Sequence, residues 1–257
     1  MTADSALYNS ERMATAYAFT RPPVHRHIVE RISRYCSLAG PVTSALDIGC
    51  GAGASTAALA TLAKRVVGLE RYASMLKYAG NIAPKAEFHV GRAEALPFEP
   101  NAFDLVTSAG VLNYTDVDAT LSEVGRVMSV RGVFVPYDFS AGRRLREDKR
   151  LSEWHTDFRL RFPSPPGYTL DLRILNYAKH SLVLDEYEEF EVGIPMSLAE
   201  YVNYTVGGAG VENALSNGQS EFEIRRYIED CVKSIFAGGP REVIFETQLA
   251  FVRKSLF

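Results

Sequence analysis

The stretch from Ala45 to Thr56, ALDIGCGAGAST, changes within a few residues from an apolar, strand-forming run to a glycine-rich turn. Val42 to Ile48 is predicted to form a buried strand, and the three glycines that follow it have no β-carbon to keep a ligand away from the backbone. Ala54 to Ala63 is predicted to form a helix whose N-terminal N–H groups and positive dipole end face the turn. This order of strand, turn and helix indicates a nucleotide-type cofactor site.

Two classes of cofactor and one purely structural explanation fit this segment. Gly49, Gly51 and Ala54 satisfy the G-x-G-x-x-A form of the dinucleotide fingerprint, and Glu70 lies about 20 residues on, where a ribose-binding carboxylate is expected. The same glycines would also allow a helix and a strand to pack closely. Asp47 favours S-adenosylmethionine, because a carboxylate two residues before the first glycine can accept hydrogen bonds from a methionine ammonium but would repel a pyrophosphate.

The first half of the chain alternates between apolar strand-like runs and helical patterns. Such alternation predicts a parallel, doubly wound α/β sheet that binds ligands at the C-terminal ends of its strands. The predicted strands are Val42 to Ile48, Arg65 to Leu69, Ala86 to Val90, Phe103 to Ser108 and Gly132 to Tyr137. The predicted helices between them are Ser55 to Ala63, Ala73 to Asn81 and Val117 to Val130.

Two further segments carry a resemblance to a known family. Gly91 to Phe98 (GRAEALPF) is followed by Asn101 to Ser108 (NAFDLVTS), a turn and then the fourth strand. With these segments the chain resembles the class I S-adenosylmethionine-dependent methyltransferases, in particular the ubiquinone/menaquinone C-methyltransferases and trans-aconitate methyltransferase-like enzymes. The resemblance covers Tyr17 to Phe139 and returns in Arg241 to Lys254.

The resemblance implies a Rossmann-like, mostly parallel sheet of seven strands with helices on both faces. The last strand would be antiparallel beside the fifth, and a helical cap would cover the active site. We expect a single methyltransferase domain over residues 1–257. Its predicted parts are an N-terminal helical flap (1–40), a cofactor-binding core (41–140), a substrate cap (141–180) and C-terminal strands and helices (181–257).

The predicted cofactor site combines the glycine turn with residues that the resemblance implies. Glu70 would accept both ribose hydroxyls, Arg71 beside it would stack near the adenine or point into solvent, and Arg21 has the fork geometry to hold the cofactor carboxylate. Arg92 departs from the family pattern, which usually has Asp there, and an arginine cannot accept from the adenine amino group. The complete predicted set is Tyr17, Arg21, Asp47, Gly49, Gly51, Glu70, Arg71, Ala93, Glu94 and Ser108.

The acceptor side is predicted from residues at strand ends and in the cap. Asn113 and Tyr114 follow the fourth strand, and Asp138 ends the fifth, so all three should face one cleft. His155 and Asp138 are the candidate bases, needed only if the acceptor must lose a proton. The candidate substrate-binding residues are Tyr8, Trp154, Tyr177 and His180.

We therefore expect methyl transfer from S-adenosylmethionine to an N or O atom of a small molecule, such as a heteroaromatic compound or secondary metabolite. Two alternatives remain open at this stage. A catalytically inactive S-adenosylmethionine-binding partner protein would keep the same cofactor residues. An NAD-dependent oxidoreductase would use the same glycine turn, but no Tyr/Lys or His/Asp pair for hydride transfer is evident.

The composition of the chain limits which partners, metals and cellular compartments we expect. A net charge of −3 argues against a nucleic-acid-binding surface. Three widely spaced cysteines predict neither a disulfide framework nor a metal site, and they suit a reducing cytoplasm. No apolar run approaches the ~20 residues that span a bilayer. We expect a cytoplasmic monomer or homodimer without a bound metal.

Overall fold

In the computed structural model, residues 8–36, 40–164 and 170–255 are described. The helices are α1 (Glu11–Phe19), α2 (Val24–Tyr35), α3 (Ala54–Leu59), α4 (Ala79–Ile82), α5 (Val117–Val127), α6 (Arg150–Arg161), α7 (Leu198–Val206), α8 (Ala209–Ser216) and α9 (Glu221–Val232). The strands are β1 (Val42–Ile48), β2 (Ala63–Glu70), β3 (Glu87–Val90), β4 (Phe103–Ala109), β5 (Met128–Phe139), β6 (Arg144–Leu145), β7 (Leu182–Met196) and β8 (Arg241–Lys254).

The strands form one mixed sheet in the order β3-β2-β1-β4-β5-β8, with β7 on the far side of β8. Strands β1 to β5 are parallel to one another, and β8 runs antiparallel between β5 and β7. The two-residue strand β6 pairs with the start of β8. The predicted Rossmann-like fold with an antiparallel last strand beside the fifth is confirmed; β6 adds an eighth, very short strand.

Two helix predictions extend too far, because strands begin earlier than expected. The helix predicted to Ala63 ends at Leu59, since Ala63 already pairs with Val42 in the sheet. The helix predicted to Val130 ends at Val127, since Met128 pairs with Phe103. In each case, hydrogen bonding to a neighbouring strand outweighs local helical periodicity.

Apolar side chains cover both faces of the sheet, as the alternation of side chains along a strand requires. Ala45 of β1 joins a cluster on one face that includes Ile28 of α2, whereas Leu46 joins a cluster on the other face that includes Leu121 of α5. A third cluster lies over the start of β8 and consists of residues from α6, α7 and α9 around Phe245. This third cluster forms a helical cap beside the C-terminal end of β5.

The side chain of Asp47 connects β1 to helix α3 and to strand β4. Its carboxylate is fully buried and accepts hydrogen bonds from the hydroxyls of Ser55 (2.6 Å), Thr56 (2.7 Å) and Thr107 (3.0 Å). Burial raises its pKa, and the three hydroxyl donors oppose that rise. Asp47 therefore fixes the start of α3 and the end of β4 relative to the glycine turn.

No helix among the described residues is long and apolar enough to cross a membrane.

We predict that Asp47→Ala lowers the free energy of unfolding by about 2 to 4 kcal/mol, because three buried hydroxyls lose their acceptor. Denaturant titration followed by circular dichroism measures this change. Glu87→Ala is the control, since Glu87 is an exposed strand carboxylate paired with Arg65, and its removal should cost less than about 1 kcal/mol. Equal losses in the two variants would contradict the structural role of Asp47.

Candidate active site

The glycine turn connects the end of β1 to α3 in a conformation that needs glycine. Gly49, Gly51 and Gly53 have φ angles of 69°, 53° and 94°, which lie in the left-handed region that side chains disfavour. A β-carbon at Gly49 would also lie 2.2 Å from Cγ2 of Val111. The turn therefore brings backbone, without side chains, to the edge of a cavity of about 480 Å³, which we call the glycine-turn cavity.

Glu70 joins the end of β2 to the glycine turn. One carboxylate oxygen accepts the N–H of Gly51 and the other accepts the N–H of Tyr72, both at 3.0 Å. Burial raises the pKa of Glu70, whereas the N–H groups of Tyr72, Gly51 and Arg71 lower it. A carboxylate has about four acceptor positions, so Glu70 keeps acceptor capacity for a ligand hydroxyl in the cavity that it lines.

The wall of the glycine-turn cavity opposite the turn is formed by residues that come after β2 and β3 in the chain. Arg71, Ala93 and Glu94 all line it. The carboxylate of Glu94 accepts from Arg92 at 3.4 Å and from the N–H of Asp116 at 3.3 Å. This wall thus offers backbone groups and one partly engaged carboxylate to a ligand.

A second, larger cavity of about 1060 Å³ adjoins the first and extends beneath the cap; we call it the cap cavity. Both cavities are lined by Tyr8, Tyr17, Gly49, Gly51, Ala109, Gly110, Asn113 and Tyr114. The hydroxyls of Tyr8 and Tyr114 lie 3.3 Å apart, and burial raises the pKa of Tyr8 far above its usual range. Neutral phenols and the amide of Asn113 therefore surround the junction between the cavities.

Helix α1 holds Tyr17 at this junction. Arg12 anchors the helix by ion pairs to Glu212 and Glu221 and by a hydrogen bond to the carbonyl of Val206 at 2.7 Å. The guanidinium of Arg21 lies 3.8 Å from the centre of the Tyr17 ring and lines the cap cavity, not the glycine-turn cavity. Its Nε is buried without a hydrogen-bond partner among the described residues.

Asp138 and His155 face the cap cavity from opposite sides, the sheet and helix α6. Asp138 accepts the N–H of Phe139 at 2.8 Å, and burial raises its pKa. Burial, followed by the charge of Arg143, lowers the pKa of His155 to about 4. At neutral pH His155 is therefore uncharged, and its Nδ1 has no partner within the described chain.

His25 is a cavity residue that the sequence analysis missed. Its Nδ1 lies 2.9 Å from the hydroxyl of Tyr137, and burial, followed by the charge of Arg21, lowers its pKa to about 4. Tyr204 of α7 also lines the cap cavity. The Pro22-Pro23 pair, which precedes the helix that carries His25, was the available signal for this residue. Nothing in the sequence connects Tyr204 to the sheet.

Several residues predicted for the site lie elsewhere. Asp47 and Ser108 are buried behind the turn, and Trp154 packs behind His155, at 5.8 Å between ring centres. Tyr177 is buried and donates to the carbonyl of Leu172, and His180 contacts Asp118 at 3.0 Å. None of these five side chains is among the described residues that line the two cavities.

We compared the chain with known proteins. Residues 46–135 match the family described as "Methyltransferase domain". The chain is 32% identical over 126 residues to the uncharacterized methyltransferase YcgJ of Bacillus subtilis (46% of this chain, 48% of the relative). It is 37% identical over 101 residues to a demethylmenaquinone methyltransferase of Renibacterium salmoninarum (39% and 43%). The chain thus spans about half the length of the curated relatives it matches.

Solved structures agree on the fold. The crystal structure of YcgJ from Bacillus subtilis has a TM-score of 0.54 at 20% identity, covering 89% of this chain and 99% of that one. The [4+2]-cyclase SpnF has a TM-score of 0.56 at 15% identity, covering 90% and 82%. At these identities the likeness concerns the fold alone. Residues 46–135 therefore match the methyltransferase-domain family, and the chain resembles the class I S-adenosylmethionine-dependent methyltransferases.

Proposed function

We propose that this protein transfers a methyl group from S-adenosylmethionine to a small-molecule acceptor. The observation that carries the proposal is the carboxylate of Glu70, which accepts from the N–H groups of Gly51 and Tyr72 and keeps acceptor capacity at a cavity of about 480 Å³. Ribose hydroxyls are donors that suit a buried, charged acceptor of this kind. The methyltransferase-domain match over residues 46–135 supports the same conclusion.

The residues present fit this cofactor. The absence of a β-carbon at Gly51 leaves the backbone open to a ligand, whereas at Gly49 it makes room for the side chain of Val111. Ala93 and Glu94 are proposed to meet the adenine, whereas Tyr17 and Arg21 lie toward the cap cavity, where the methionyl carboxylate would be held. Asp47 is better assigned to the structure of the turn than to the ammonium group, because three hydroxyls occupy its oxygens.

The junction between the two cavities is the proposed place of reaction. When bound, the cofactor would supply a sulfonium methyl group for in-line transfer to the acceptor atom, with S-adenosylhomocysteine as the leaving group. Asn113 and Tyr114 orient the acceptor there, and the cap excludes water, so alignment can supply much of the rate acceleration. An N or O atom of a heteroaromatic or secondary metabolite is the proposed target.

If the acceptor must lose a proton, Asp138 is the stronger candidate base. Its burial raises its pKa toward the working pH, and proton abstraction is most effective when the two are close. Burial lowers the pKa of His155 to about 4, which makes it uncharged at neutral pH and a weaker base than an exposed histidine, so we assign it to acceptor binding.

We predict that S-adenosylhomocysteine stabilises the protein against heat. At about 100 times its dissociation constant, the gain is ~2.7 kcal/mol, which corresponds to a shift of several degrees in melting temperature. Differential scanning fluorimetry measures the shift, with NAD as the comparison ligand. A shift with NAD and none with S-adenosylhomocysteine would exclude the proposed cofactor.

We predict that Glu70→Ala weakens S-adenosylhomocysteine binding by about 2 to 3 kcal/mol, because the ribose hydroxyls lose a charged acceptor. Glu70→Gln should lose less, since the amide keeps one acceptor oxygen. Isothermal titration calorimetry measures both, on samples whose circular dichroism shows a folded chain. Glu87→Ala, on the neighbouring strand β3, is the control. If Glu70→Ala binds S-adenosylhomocysteine within twofold of this control, Glu70 does not contact the ribose.

We predict that, with a substrate that must be deprotonated, kcat/KM falls as pH drops through the raised pKa of Asp138, because the base must be unprotonated. Asp138→Asn should abolish this dependence and lower kcat by roughly 10²- to 10⁴-fold. His155→Asn should raise KM without moving the pH profile. A profile that is unchanged in Asp138→Asn would assign the proton transfer to another group.

A further inference from the structure

The carboxylates around the cap cavity are already engaged by other groups. Glu191 pairs with Arg144 and Arg146, and Glu246 pairs with Arg144 at 2.8 Å. Glu189 accepts from the hydroxyl of Tyr187 at 2.6 Å. Apart from Asp138 at the junction, the acidic side chains that line this cavity thus have polar partners outside it.

Two arginines in the wall of the same cavity differ from their neighbours. Arg143, which directly precedes β6, and Arg159 of α6 both line the cap cavity, and neither has a carboxylate within ion-pair distance among the described residues. The nearby Arg144, Arg146 and Arg150 are all paired with carboxylates. Two guanidinium groups therefore lack an ion pair among the described residues, in a region where carboxylates are abundant.

Arg143 and Arg159 line the same cavity and carry like charges, which repel each other. Burial, followed by the charge of Arg159, lowers the pKa of Arg143, and the charge of Glu246 partly opposes this shift. Ala209 and Gly210 line the same cavity at the start of α8, and the N-terminal end of a helix adds further positive potential. His155 lines the cavity as well, and its buried Nδ1 has no hydrogen-bond partner among the described residues.

We propose that the methyl acceptor carries an oxyanion, a carboxylate or a phosphate, that binds between Arg143 and Arg159. This inference rests on the proposed function, since it assigns the substrate class of that site. A guanidinium presents paired N–H donors that match two oxygens of either anion. Arg21 lies apart, stacked on Tyr17 at the junction, and is left for the cofactor carboxylate.

The arrangement also orients the acceptor. Asp138 lies at the end of β5, beside the junction: the carboxylate oxygen Oδ1 is 3.1 Å from the position of a β-carbon at Gly110. A negative group is repelled from this end and attracted to the arginine end. The uncharged part of the acceptor, which carries the atom to be methylated, therefore points toward the cofactor.

Trp154 provides a direct probe, because it is the only tryptophan in the chain and packs against His155 and Phe158 of the cavity wall. Its fluorescence is titrated with benzoate, phenyl phosphate and neutral benzamide, in the presence of saturating S-adenosylhomocysteine. Ligand-observed NMR follows the same titrations. The variants are Arg143→Gln, Arg159→Gln and the double variant, with Arg131→Gln as control, since Arg131 is exposed at the opposite end of β5.

We expect benzoate or phenyl phosphate to bind at least about tenfold more tightly than benzamide, and each arginine variant to lose about tenfold of this preference. Arg131→Gln should retain it. Tighter binding of benzoate identifies a carboxylate as the partner, and tighter binding of phenyl phosphate identifies a phosphate.

Equal affinity for the three ligands by both methods, or a preference that survives in the double variant, would overturn the anionic acceptor. In that case S-adenosylhomocysteine binding, measured first for every variant, would leave the proposed function standing. A failure of the wild-type protein to bind S-adenosylhomocysteine would overturn the proposed function and this inference with it.

Discussion

The hydrogen bonds from the N–H groups of Gly51 and Tyr72 to the carboxylate of Glu70 connect the two turns on which the site depends. They join the loop after β1 to the loop after β2, and so fix one wall of the glycine-turn cavity. Glu70 is only 9% exposed, which makes these bonds strong and leaves its remaining acceptor positions directed at a ligand. A structural bond and the proposed ribose contact thus share one side chain.

The rest of the site follows from where the strands end. Parallel strands β1, β2, β4 and β5 bring their C-terminal residues to one edge, and the cap of α6 to α9 covers the part of that edge beyond β5. The two cavities therefore meet at Gly110 and Asn113, after β4. The first cavity offers backbone groups and the carboxylates of Glu70 and Glu94, whereas the second is lined by Arg143 and Arg159. The proposed cofactor and the proposed acceptor thus meet different charged groups.

The local sequence was sufficient to predict the strands at the core of the fold. Val42 to Ile48 was predicted as a strand with the bounds observed for β1, because the apolar run defines the strand and the glycines after it define where the strand ends. The position of β8 beside β5 was implied by the resemblance to the methyltransferases, not by the local pattern. The lengths of α3 and α5 were overestimated, because their ends are set by strand pairing at Ala63 and Met128, which periodicity does not report.

Most of the acceptor side could not be predicted in this way. His25, Arg143, Arg159 and Tyr204 come from four segments that only the packing of the cap brings together. Conversely, Tyr177 and His180 were proposed as substrate contacts because of their residue types, yet they lie where the polypeptide enters β7, beside α5. Aromatic and histidine side chains occur in cores as readily as in cavities, so residue type alone could not distinguish the two locations.

A crystal structure of the protein with S-adenosylhomocysteine tests the central claim most directly. The account predicts both ribose hydroxyls within hydrogen-bonding distance of the Glu70 carboxylate, and the sulfur at the junction of the two cavities, facing Asn113. A ligand whose ribose lies away from Glu70, or whose sulfur points away from the cap cavity, would contradict it.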